Sequence, residues 1–253
     1  MGRHTHRASA CLTAAVILFP LSLPARASVG VPTPGEPAVS AGELHYHAGA
    51  VAYRHGGSDA RVEFFIHVPY REIRFLSTGD RFEARLRVTV ELTGMGGRRA
   101  GYQQKAARLQ ATDLAATSDS LLGEIYTMGL IAPRGEYRFR ITVEDMNVAR
   151  RGLIYQIKNK KRQGEVLGDI DMGGWLFEKP ALSGIEFAWG IRDRTPETPF
   201  GKGAYEVLPH PSAHYGLFQD VVSVYYEIYD APPPPEGRAY RVRTMILGAA
   251  GDT

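Results

Sequence analysis

The segment Phe64–Leu92, FFIHVPYREIRFLSTGDRFEARLRVTVEL, decides the fold class. In its second half Phe82, Ala84, Leu86, Val88, Val90 and Leu92 alternate with Arg81, Glu83, Arg85, Arg87, Thr89 and Glu91. This period of two makes one face apolar and the other almost wholly charged, the pattern of an antiparallel strand between a core and water. A helix would scatter the arginines into the apolar stripe. Upstream, Val62, Phe64, Ile66 and Val68 form a second alternating run that stops at Pro69. Proline has no N–H to give to a central ladder, so the break reads as a corner at a sheet edge or bulge. Arg71 and Glu72 then lie outside, Ile73 and Phe75 return to the core, and Gly79-Asp80 turns the chain into the long strand. The break is architecture, with no chemistry assigned to it.

The pattern recurs along the chain. Tyr137, Phe139, Ile141 and Val143 alternate with Arg138, Arg140, Thr142 and Glu144. Val222, Val224, Tyr226 and Ile228 alternate with Ser223, Tyr225, Glu227 and Tyr229, and Tyr240, Val242, Thr244 and Ile246 with Arg241, Arg243 and Met245. Turn residues at 77–80, 94–97, 132–135 and 232–237 separate these runs. Short alternating strands with such spacing predict an all-β fold, an immunoglobulin-like antiparallel β-sandwich. The best helical candidate, Lys105 to Ser120, fits a strand and loop equally well.

The chain divides accordingly. Residues 1–27 read as a signal peptide, with Arg3 and Arg7 ahead of an apolar run from Leu12 to Leu23 and small residues at Ala25 and Ala27. The run is too short for a bilayer, which takes ~20 apolar residues, so export to the periplasm or the exterior is predicted. Residues 28–42 read as a flexible leader rich in Pro and Gly, 43–160 as the sandwich domain, and 161–175 as a polar, glycine-rich linker. Residues 176–253 form a second, smaller or incomplete β region. It offers about three good strands where a free-standing sandwich takes about seven, so docking on the first domain is expected.

Charge and cysteine content narrow the function. The full chain carries 30 Lys and Arg against 27 Asp and Glu. Residues 1–27 hold Arg3, Arg7 and Arg26 and no acid, which leaves 27 of each sign downstream. A neutral mature chain offers little to a nucleic-acid partner, whose recognition rests on positive charge facing phosphates. The one cysteine, Cys11, lies inside the signal, so disulfides and thiolate chemistry are excluded beyond it.

No catalytic constellation emerges. His45 and His47 share a strand face, and His210 and His214 are four apart between prolines, but metal sites need a third ligand and an orienting shell. They read as exposed loop or edge histidines. Asp169 and Asp171 begin like a calcium loop, yet Gly173, Gly174 and Trp175 follow where further acids belong, so a local turn is the reading. Glu83, Glu91, Glu144 and Glu227 sit on charged strand faces and read as solvated cross-strand partners. No serine occupies a nucleophile elbow, and the glycines at 94–97 form a hairpin loop with no helix after them. Neither a cofactor nor a metal is expected. Tyr225 and Tyr229, opposite the assumed core face, are the candidate surface for a partner or glycan, with burial under a second sheet as the competing reading.

Several segments resemble, in order, the β-sandwich region of the bacterial GWxTD domain-containing proteins. They are VPYREIRFLSTGDRFEARLRVTVEL from Val68, APRGEYRFRITVEDMNVARRG from Ala132, LSGIEFAWGI from Leu182 and VYYEIYD from Val224. Two departures stand out: Leu182-Ser183-Gly184 lacks the acid of the Leu-Ser-Asp pattern, and the nearest string to the motif, Gly174-Trp175-Leu176-Phe177-Glu178, lacks Thr-Asp. The resemblance implies an exported sandwich and little chemistry. The function expected is a non-enzymatic interaction or structural module of the cell envelope, with another envelope protein or a glycan as partner. A carbohydrate-binding module and a hydrolase are the alternatives.

Overall fold

A computed structural model describes residues 12–14, 37–119, 122–147, 162–216 and 221–232. Apart from Leu12–Ala14, the expected export signal lies outside the described residues, as does the strand read at 240–246. The fold is an antiparallel β-sandwich. Its principal strands are β1 (His47–His55), β2 (Asp59–Pro69), β3 (Phe82–Gly94), β4 (Arg99–Ala111), β5 (Gly123–Pro133), β6 (Glu136–Asp145), β7 (Gln163–Asp171), β8 (Glu186–Asp193), β9 (Tyr205–Pro209) and β10 (Val222–Tyr225).

Three of the sheets stack. The front sheet runs β7-β6-β3, with β4 on the far side of β3 and Ala41–Gly42 on the outer edge of β7. The middle sheet runs β1-β2-β5, extended by Ala38–Val39. The outer sheet runs β10-β8-β9, with Gly201–Lys202 beyond β9 and Leu12–Ala14 beyond β10. The main core lies between front and middle sheets, where Leu86, Val88, Val90, Ile141 and Val143 meet Val62, Phe64, Ile66 and Val68. The alternating apolar positions of β2, β3 and β6 therefore do face one another.

The outer sheet covers the opposite face of the middle sheet. Val51, Tyr53 and Phe65 pack there against Ala188, Val207 and Tyr225. Strand β2 is consequently buried on both faces, which is why Phe65 is out of phase with Phe64 yet equally enclosed. The second β region docks on the first, as its few strands require.

The chain turns at Pro69 as expected, but at the end of a central strand and not on an edge strand or at a bulge. Strand β2 ends at Pro69, a 3-10 turn follows at Tyr70–Glu72, and Ile73 returns to the core. The Gly94–Gly97 loop closes the β3–β4 hairpin. On the charged face Arg87 pairs with Glu144 at 3.1 Å, Arg140 with Glu165 at 3.0 Å and Arg99 with Glu91 at 3.7 Å. Glu91 and Glu144 thus pair across strands as the alternation implied, whereas Glu227 accepts from Tyr225 and Tyr229 instead.

Two expectations need correction. The stretch read as a linker at 161–175 contains β7, paired with β6 from Glu136↔Asp171 to Glu144↔Gln163. Its inward positions include Gly164 and Gly168, whose missing side chains make room for Tyr46 and the Phe139 ring, so the alternation carries little hydrophobic signal. The end of the leader is pinned: Ser40 Oγ donates to Leu44 O at 2.8 Å and accepts from Tyr46 N–H at 2.9 Å. Residues 105–119, read equally as helix or as strand and loop, divide between β4 and a short helix, Leu114–Ser118, whose first turn is capped by Asp113 accepting from Ala116 N–H at 2.8 Å.

Candidate functional site

The junction between middle and outer sheets gathers the chemistry-bearing side chains. Across its face the register places His47 beside His67, Gly49 beside Phe65, Val51 beside Glu63 and Tyr53 beside Arg61. The rows thus run from histidines, through an apolar middle, to charged groups.

At the charged end Lys202 enters from the outer sheet. Its ammonium meets Glu63, Glu186 at 2.7 Å and the Tyr53 hydroxyl at 3.0 Å, which uses all three of its donors. Tyr53 donates to the same Glu186 Oε2 at 2.5 Å. Aromatic faces line the cation, with the Tyr53 ring centroid at 4.1 Å, Phe65 at 5.3 Å and Tyr225 at 5.4 Å. All of these residues are buried. Two carboxylates face one ammonium here, and Glu186 Oε1 has no hydrogen-bond partner among the described residues. Burial, the largest influence, therefore pushes the Glu186 carboxyl up to about 7 against the pull of Lys202.

This sets a pH dependence. A carboxyl raised in the folded state from 4.5 to about 7 contributes its stability below 4.5 and loses it as pH rises through 7. Glu186→Gln is expected to flatten that loss, which for the native chain amounts to a few kcal/mol, on the order of the 1.36 kcal/mol per unit linkage. Urea unfolding of both proteins between about pH 5 and pH 8 checks it; parallel curves refute it.

At the other end four of the chain's eight histidines converge. His47 lies 6.4 Å from His67 and 5.7 Å from His214, ring centre to ring centre. His210 stacks on Trp189 at 3.6 Å and meets the Tyr215 ring at 4.8 Å. The expectation of exposed histidines fails for His210, which is 2% exposed, and for half-buried His47; His67 beside it is half-buried as well. The reason is the outer sheet, which lays the loop after β9 over them. Of the four histidines read as exposed, His45 and His214 are so, His45 reaching Glu72 at 3.3 Å. Among the described residues no three His, Cys, Asp or Glu side chains are disposed to hold a metal ion. A cavity of about 20 Å³, bordered by Phe65, Ile185, Phe187 and His210, has room for one water molecule.

The candidate surface tyrosines turn inward. Tyr225 is 1% and Tyr229 9% exposed. Both donate to Glu227, at 3.1 Å and 2.7 Å, and Tyr229 also accepts from Arg54 N–H at 3.1 Å. The strand phase assumed from Val222 and Val224 is reversed, and the run breaks after Tyr225, with Ile228–Tyr229 pairing Ala181–Leu182 instead. With apolar residues on both faces, period two alone does not say which face is inside. Asp171 accepts from Gly173 N–H at 2.6 Å and Asp169 pairs with Arg138, so the calcium-like string is a turn after a strand.

Sequence reasoning passed over Glu63, Lys202, Glu186 and His67. The available signal was an acid inside an apolar run, as in VEFFIHV and IEFAWGI, on a strand whose two faces are both apolar. The outward side of β8 was also missed. Ile185, just before it, is 53% exposed and Trp189 41%. Among the described residues no helix is long and apolar enough to cross a membrane. Comparison of the chain with protein-family models, with curated proteins and with solved structures finds no match.

Proposed function

We propose that the chain is a non-enzymatic interaction or structural module of the bacterial cell envelope, exported by its N-terminal segment and related to the sandwich region of the GWxTD domain-containing proteins. The observation that carries the reading is the division of labour across β8. Its inward residue Glu186 and the neighbouring Lys202 are consumed in joining two sheets, while Ile185 and Trp189 present apolar surface outward. Charged groups sealed between sheets cannot meet a substrate, and an exposed apolar strip is the usual mark of a contact surface.

A photo-crosslinker placed at Ile185, with one at Arg138 on the front sheet as control, tests this in envelope extracts. A discrete adduct formed from position 185, absent from 138 and lost on Trp189→Ala, supports it. Equal labelling from both positions, or none, overturns it. A glycan is the second reading, favoured because Phe187 and Trp189 point to the same side of one strand and offer stacking faces. Array binding abolished by Trp189→Ala is its expected result, whereas Tyr225→Ala would act only through folding.

A further inference from the structure

We propose that the histidine cluster is an acid-triggered latch: protonation of His47 and His67, which pack beside His214, releases the loop after β9 from the middle sheet and opens the junction from that end, with the Lys202 network as its hinge. The proposal goes beyond the module reading and does not depend on the partner.

Three chain segments distant in sequence supply the rings: His47 from β1, His67 from the facing position of β2, and His210 and His214 from the loop. Among the described residues of that loop the hydrogen bonds centre on His210. His210 N–H donates to Phe187 O at 2.9 Å, its ring Nε2 lies 3.0 Å from His214 O, and Ser212 Oγ is 3.3 Å from its Nδ1. His47 Nδ1 is buried with no hydrogen-bond partner among the described residues. A second proton in the cluster places like charges about 6 Å apart in a half-buried site, where the attraction that normally offsets desolvation is missing.

The charged surroundings do not relieve it. Arg71, from the 3-10 turn, adds to the positive potential at His47. Glu72 of the same turn is engaged by His45 at 3.3 Å and lies 3.8 Å from Arg71. From β5, Ile125 is the residue opposite His67, while Glu124 opposes Val68 and has Lys105 as its charged neighbour. From β8, Phe187 meets the Tyr215 ring and Trp189 stacks on His210. Burial first, then the neighbouring rings and Arg71, hold His47 down at about 4, and burial lowers His67 and His210 too.

The sign follows. A histidine depressed in the folded state stabilises it above 6.5, and that contribution is lost as pH falls from 6.5 through about 4. Glu186 responds oppositely, since proton uptake below about 7 favours the folded network. Acid therefore loosens one end of the junction and holds the other, which makes the opening directional.

Hydrogen exchange of the full chain at about pH 7.5 and about pH 5, corrected for intrinsic rates, tests the latch. Protection of the His210 and Ala213 amides is expected to fall about tenfold at the lower pH, while β3 and β6 keep theirs. His47→Gln combined with His214→Gln is expected to hold the loss under about threefold. Should that variant fold poorly, the imidazole resonances of the native chain give the second readout: His47 and His67 must take up protons at the midpoint where His210 protection is lost. Unchanged protection at both pH values, the same loss in the variant, or histidines titrating without any change in exchange would each overturn the proposal.

Discussion

Lys202→Met is expected to cost about 3–5 kcal/mol, among the largest losses of any single substitution outside the main core. The ammonium is the only cation reaching Glu186 in the described structure, and it also holds Glu63. Removing it leaves the Glu186 carboxylate between the sheets with no cation among the described residues, and leaves Glu63 with Arg61 alone, at 2.9 Å. The loss belongs to breaking the network and does not measure its net worth. Replacing Lys202, Glu63 and Glu186 together by methionine, with Tyr53→Phe to remove the orphaned hydroxyl, is expected to recover stability to within about 1–2 kcal/mol of the native chain. Urea unfolding, followed by Trp189 fluorescence in a Trp175→Phe background, reads both. A loss below about 1 kcal/mol for Lys202→Met would mean that water reaches the network and that the outer sheet does not seal it.

The network and the histidine cluster lie at opposite ends of one interface, and both are invisible to pattern reading for the same physical reason. Alternation reports which residues share a face, and it identifies the buried face only when the other is polar. In β3 the contrast of Leu86 and Val88 with Arg85 and Arg87 is complete, so strand, phase and core membership were all legible. In β2 both faces are enclosed and in β10 neither face is charged, so the strands were legible and their phase was not. Tyr225 then looked outward and proves to pack beside Tyr53. In β7 two of the inward residues are glycines that make room for Tyr46 and Phe139, and a strand disappeared into an apparent linker. Charges brought together by docking come from positions 139 residues apart, as Glu63 and Lys202 do, and no local signal records that encounter.

Adjacent phenylalanines in β2 allow the three-layer arrangement to be tested directly. Phe64 points into the main core, where its ring meets Phe139 edge-on at 5.3 Å, and Phe65 points into the junction beside Lys202. Phe64→Ala is expected to cost about 3–5 kcal/mol, the range for deleting a buried phenyl group, and to lower the urea midpoint seen by far-UV circular dichroism and by Trp189 fluorescence alike. Every layer rests on the core it damages. Phe65→Ala removes a similar area, yet only from the contact with the outer sheet. It is expected to shift the Trp189 transition to lower urea while the circular dichroism transition, dominated by the front and middle sheets, moves little. Equal shifts in both probes for both variants would show that the three sheets unfold as one cooperative unit. The junction would then be core in the full sense, and a latch opening at its histidine end would have to break against the whole fold instead of against one sheet.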